Sequence, residues 1–370
     1  MSTRQSNRAE ILNQFPEPKR QNAEYTGDAH RRPDATDIRM VHGIPSWEPG
    51  EMDFDVLEDL LVHSWEPPRD LAAGGTDVFI RGKPGVGKST LLCYLAARLL
   101  DINDETVFWR ASSSRSEWMP LAPWATVWLP AGADIDARLT SRDPRDNEVD
   151  LDVEELEEIV RDVRRYREPR DVLDRAAKGQ FHVIYPDPQM RGCQGILDES
   201  AERAYETPSG RDTLFHEEDP DHHWWFAFNL ARVEHGPHHW STWICDEIGD
   251  LVPQNCRKDK FGTYQKVMLL RDSWVDFRKH GHTIFGAGHS EKDVHQVIRH
   301  KLRWRIQMPR QANPKGPSDV VGFDSIPMDY EMTARMPIGK AICYTETSFA
   351  KFKWKDMESP TSHKLKITIK

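Results

Sequence analysis

The chain is poor in cysteine, poor in lysine through its middle, and without long apolar runs, and each shortage narrows what it can be. Its five cysteines, Cys93, Cys193, Cys245, Cys256 and Cys343, form no C-x-x-C pair. That argues against a disulfide framework and for a reducing, cytoplasmic setting. No stretch approaches the roughly 20 apolar residues needed to cross a bilayer. The opening Met1-Ser2-Thr3-Arg4-Gln5 also lacks the apolar core of a signal peptide. Lys178 is the only lysine between residues 101 and 250, and the formal charge is −10. An acidic chain of this kind is no histone-like wrapper, so any contact with nucleic acid must be local.

With 370 residues there is material for one large α/β domain with additions. Residues 1–50 are polar, with Pro16, Pro18, Pro33 and Pro45, and are expected to form a flexible arm. An ATPase domain is expected over 51–350. It would open with a helix capped by Asp53, running through Leu57, Leu60, Leu61 and Trp65 and stopped by Pro67-Pro68. Short β-branched and aromatic runs at 77–81, 106–109, 125–129, 181–185, 241–245 and 283–285 alternate with helical stretches. Such alternation predicts a mostly parallel sheet covered by helices on both faces. The charged segment 132–180, with Glu154-Glu155-Leu156-Glu157-Glu158-Ile159-Val160-Arg161 at its centre, reads as a helical insert, and 351–370 as a basic C-terminal tail.

The chemistry concentrates in three motifs. Gly82-Lys83-Pro84-Gly85-Val86-Gly87-Lys88-Ser89 matches G-x-x-x-x-G-K-[ST], with an apolar strand before it and a helix after it. Glycines let the backbone curl so that successive N–H groups face phosphate oxygens, at the positive end of a helix. Lys88 then reaches the β- and γ-phosphates, Ser89 ligates Mg²⁺ and Thr90 assists the α-phosphate of ATP. Second, the strand 243–245 ends in Asp246-Glu247, where Asp246 would join the Mg²⁺ shell and Glu247 would polarise the attacking water. Third, the strand 283–285 leads to His289, a candidate γ-phosphate sensor with Ser290 behind it. A surface histidine at a strand end is the alternative.

The run from Gly286 to Met308 resembles the segment of HerA/FtsK-type translocases in which a strand ends in Ala-Thr-Gln, an Asp-Val element follows, and the next strand begins with Arg-Ile. His289 stands where that family has glutamine. The resemblance covers residues 75–310, and the distance from Lys88 to Asp246 exceeds a minimal RecA-like core, as in that family. It implies a RecA-like P-loop NTPase of the additional-catalytic-glutamate class, built as a homo-oligomeric ring with a hexamer open. Arg299 or Arg303 would then reach a neighbouring subunit's γ-phosphate, a salt-bridged helix face being the alternative. In length and acidity the chain is similar to haloarchaeal virus and plasmid ATPases of that superfamily.

Local charge bears on the partner. A basic stretch from Arg257 and Lys258 to Arg310 includes Lys266, Arg303 and Arg305, and the C-terminus adds Lys351, Lys353, Lys355, Lys364, Lys366 and Lys370. These could meet the phosphates of double-stranded DNA in a ring, or be ordinary solvated faces. The paired histidines His222-His223 and His238-His239 lack the companions of a metal site. Trp224, Trp225 and Trp240 read as core before base-stacking residues. Translocation or packaging of nucleic acid leads; a P-loop ATPase acting on protein, or a nucleotide-dependent switch, are the rivals.

Overall fold

The computed structural model describes residues 8–19, 33–46, 55–66, 74–113, 115–141, 148–200, 205–256, 259–311, 331–345 and 349–370. The expected Asp53 cap and Pro67-Pro68 stop, and Arg257 and Lys258, lie outside these residues.

The strands are β1 (Val78–Arg81), β2 (Thr106–Arg110), β3 (Ala125–Pro130), β4 (Ile135–Thr140), β5 (Val149–Leu151), β6 (Asp162–Tyr166), β7 (Phe181–Ile184), β8 (Ser241–Cys245), β9 (His282–Gly288), β10 (Trp304–Gln307), β11 (Lys340–Tyr344), β12 (Phe349–Lys353) and β13 (Lys364–Ile369). A 10-stranded sheet runs in the order β12-β11-β10-β1-β9-β8-β2-β7-β3-β6. Pairing is parallel from β10 to β6, while β11 and β12 add an antiparallel hairpin at one edge.

Successive residues of a strand face opposite sides, and here both sides are apolar. Val78 and Ile80 join one hydrophobic cluster while Phe79 joins the other, and Val107 and Trp109 oppose Phe108 in the same way. That two-sided burial is why the central strands read as unbroken apolar runs. The helix Lys88–Asn103 covers one face through Leu91, Leu92, Leu95 and Leu99; Trp224–Glu234 and Thr263–Phe277 cover the other. Trp224, Trp225 and Trp240 are buried, and all five cysteines are free and buried.

Four expectations about the periphery change. Over its described part the N-terminal segment is docked: Pro33–His42 is a helix, and Ile11, Phe15, Ala35, Ile38 and Ile44 are buried in the same cluster as the P-loop helix. Polar anchors add to them. Arg161 donates to the carbonyl of Lys19 and pairs with Asp34 at 2.5 Å, and Trp124 Nε1 donates to Asp37 at 2.9 Å. The insert is mixed in structure. Its acidic centre is the 3-10 helix Val153–Glu158, closed by a capping box between Asp152 and Glu155, and the helix Pro169–Arg175 follows later. The remainder supplies β4, β5 and β6. The C-terminus is no tail: β13 pairs along its whole length with β4, burying Leu365 and Ile367 while Lys364 and Lys366 face solvent. The opening helix is shorter than expected, Asp55–Leu61, and Trp65 lies beyond it against Trp240, with ring centroids 4.5 Å apart.

Candidate nucleotide site

Parallel strands bring their carboxyl ends to one edge, and three such ends meet here. β9 lies between β1 and β8, so the loop after β1, the Asp246-Glu247 turn after β8 and His289 after β9 converge. In the loop, Gly85 and Gly87 have φ of 77° and 91°, a left-handed backbone that side chains disfavour. Gly87 is the residue before the helix Lys88–Asn103, whose first N–H groups have no partner within the helix.

Lys88 folds back over this loop. Its Nζ donates to the carbonyl of Gly82 at 2.9 Å and lies 3.2 Å from His289 Nδ1 and 3.9 Å from Glu247 Oε1. Ser89 Oγ donates to Asp246 Oδ2 at 3.1 Å, and Thr90 Oγ1 donates to the Gly87 carbonyl at 3.0 Å. His289 sits between the two halves, with Nδ1 3.0 Å from the Gly82 carbonyl and Nε2 3.2 Å from Glu247 Oε1. Lys88, Ser89, Asp246, Glu247 and His289 therefore form one cluster, in which the histidine is 47% exposed. Ser290 instead caps the turn Glu291–Asp293, accepting from the Lys292 N–H at 3.2 Å.

Electrostatics tune the pair at the centre. Burial, and then the negative charge of Asp246, raise the Glu247 carboxyl above the ordinary 4.5; His289 and Lys88 pull the other way. Burial lowers the Lys88 ammonium, against the attraction of Glu247 and Asp246. Both groups are pushed toward their neutral forms, as charges in a partly closed cleft are before a counter-charge arrives.

Arg299 ends the short helix Gln296–Arg299, where its carbonyl accepts from Arg305, and Arg303 lies away from this cluster. Arg303 donates to the Gly75 carbonyl at 3.4 Å, at the amino ends of β1 and β10, the opposite edge from the loop. Arg305 is buried, with Nε 3.2 Å from Glu291, and holds up the chain around it.

Two arginines carry no motif and so escape the sequence. Arg110, buried at the end of β2, donates from one nitrogen to the carbonyls of Asp246 at 3.0 Å and Glu247 at 3.3 Å. Glu247 has φ 53°, in the left-handed region, which costs a non-glycine residue about 1–2 kcal/mol. Arg110 thus clamps the strained turn from below. Arg115 pairs with Asp250 at 3.3 Å and acts electrostatically on both Lys88 and Glu247. Only the pairing of β2 with β8 brings Arg110 to the Asp-Glu turn.

Ser89 and Asp246 offer a hydroxyl and a carboxylate within hydrogen-bond reach of each other, the hard oxygen donors that suit Mg²⁺ beside phosphate. No cluster of three or more His, Cys, Asp or Glu able to hold an ion by itself occurs among the described residues.

No family model and no curated protein matches the chain. Solved structures do. The genome packaging NTPase B204 from Sulfolobus turreted icosahedral virus 2, in complex with AMP, is 12% identical and aligns over 75% of this chain and 96% of its own, with a TM-score of 0.40. The pCW3 conjugation coupling protein TcpA with ATPγS is 12% identical over 76% of this chain and 61% of its own, TM-score 0.34. EssC (ATPases 2 and 3) from Geobacillus thermodenitrificans is 11% identical over 76% and 40%, TM-score 0.32. At such identities and TM-scores these likenesses establish neither fold nor substrate for this chain.

Proposed function

We propose that the chain is an ATPase whose hydrolysis drives translocation or packaging of nucleic acid, assembled as a ring. The observation that carries the hydrolytic part is the cluster itself: a phosphate-binding lysine, a Ser89–Asp246 pair and Glu247 within a few ångströms of one another at one sheet edge. Lys88 and the loop N–H groups hold the β- and γ-phosphates. Ser89 and Asp246 would hold Mg²⁺, which when bound neutralises phosphate charge. Glu247 takes a proton from the water that bonds to the γ-phosphorus; the bond from that phosphorus to the β–γ bridging oxygen breaks, and ADP and phosphate result. His289, touching both Lys88 and Glu247, is placed to report whether the γ-phosphate is present. Arg299 or Arg303 would complete the site of a neighbouring subunit.

Charge supports the choice of polymer. In the edge hairpin, Lys340 is paired in register with Lys353, two positions from Lys351, and all three are exposed. None of them forms an ion pair among the described residues, whereas Lys266 of the other basic stretch is buried against Asp219 at 2.6 Å. Cations on one face of a strand suit a run of phosphates. The test is ATPase rate with and without double-stranded DNA, across a salt series. The reading predicts stimulation that weakens steeply as salt rises; a rate indifferent to DNA at every salt concentration contradicts it.

A further inference from the structure

The apolar side of the phosphate loop has a feature that phosphate binding does not explain. Ile338, on the turn leading into β11, is 45% exposed. A Cβ placed on Gly87 would lie 3.7 Å from Ile338 Cγ2, 3.2 Å from Trp354 Cζ2 and 3.2 Å from Thr90 Oγ1. Trp354 follows β12, is 6% exposed, and braces the turn by donating its backbone N–H to the Gly339 carbonyl at 3.1 Å. Its indole Nε1 is buried without a hydrogen-bond partner. In the indole ring Cζ2 and Nε1 are bonded to the same carbon, so the unpartnered N–H lies on the ring edge nearest Gly87.

Lys88, Asp246 and Glu247 mark the γ-phosphate end of the loop, and Thr90 marks the α-phosphate end. Ile338 and the Trp354 edge stand beside Thr90, where the phosphate chain gives way to ribose and base. A lone exposed aliphatic is ordinary on a protein surface, but one at the α-phosphate end of an anion site stands where the flat, apolar base of a nucleotide would lie. We propose that Ile338 and Trp354 form the wall against which the nucleobase of the bound nucleoside triphosphate lies. Ile338 meets the ring face, and the Trp354 ring edge backs it beside Gly87. The C-terminal hairpin is in this way part of the nucleotide site. Gly87 must stay a glycine for a second reason, since any side chain there would fill the space between wall and loop.

This inference rests on the nucleotide reading of the loop, and the experiment separates the two. Calorimetric titration of the full chain with a non-hydrolysable ATP analogue, and with inorganic tripolyphosphate, both with Mg²⁺, compares a ligand that has a base with one that has none. Ile338 is exposed, so Ile338→Ser should fold as the parent does. It is expected to weaken the ATP analogue about tenfold while leaving tripolyphosphate within about twofold, and Ile338→Val should keep both affinities. If the parent binds neither ligand, the nucleotide reading falls and the wall with it. If tripolyphosphate binds the parent, and Ile338→Ser either holds the analogue at full affinity or loses both ligands alike, the loop reading stands and the wall is wrong.

Discussion

Glu247 occupies a left-handed backbone position, in a partly buried setting, with a lysine, a histidine and a second carboxylate around it. Strain at a chemically loaded residue is the usual mark of a working site. Two consequences are measurable. As a base, Glu247 must be ionised; burial and Asp246 raise its pKa, so the rate should fall with decreasing pH through a limb lying above 4.5. His289 opposes that rise, so His289→Gln should move the limb to still higher pH. A pH profile of kcat/KM checks both, and a limb at or below 4.5 in the parent contradicts the assignment. Arg110 is the positioning residue of the turn. Arg110→Met removes a donor from two buried carbonyls, a loss of about 1–3 kcal/mol. It should lower kcat more than it raises KM, with partial recovery in Arg110→Lys; steady-state kinetics of the two variants decide. The motif residues were legible because phosphate chemistry fixes their types and spacing. Arg110 was not, because a lone arginine at the end of a strand has no pattern, and only the adjacency of β2 and β8 gives it a role.

At the scale of elements, the central strands announced themselves because both faces are buried and most positions are apolar or β-branched. β4, β5 and β13 did not. Asp136, Arg138, Lys364 and Lys366 alternate with buried neighbours, and a half-exposed strand among charges reads as a solvated insert or a tail. Pairing of β13 with β4 joins segments far apart in sequence, which local pattern cannot show. The N-terminal segment misled for a related reason: its apolar residues are few, but Ile38 and Ile44 are almost wholly buried against a surface supplied by the rest of the chain. Burying an isoleucine or phenylalanine side chain contributes about 1.5–3 kcal/mol. Removing residues 1–46 should therefore lower the melting temperature by several degrees, at about 2–4 °C per kcal/mol. An unchanged thermal transition on truncation would show that these contacts contribute nothing. Deleting 361–370, which strips β13 from β4, should destabilise in the same way, again read by thermal denaturation.

For the whole molecule, we propose a ring in which Arg299 or Arg303 completes a neighbour's site; within the chain Arg303 lies at the opposite edge of the sheet from the loop. Mixing inactive Arg299→Ala or Arg303→Ala protein with inactive Lys88→Ala protein should restore part of the ATPase rate, since a mutant with an intact loop can borrow the arginine of its neighbour. No recovery in assemblies shown to hold both chains, or full activity from a strict monomer, contradicts the arrangement. Everything above this level depends on the chemistry at Glu247. The most direct measurement is ATP binding and ATP hydrolysis by the parent and by Glu247→Gln, side by side. The variant is expected to bind ATP with near-parental affinity while its hydrolysis falls by about 10²–10⁴-fold. Hydrolysis by Glu247→Gln at the parental rate would contradict the chemistry at Glu247.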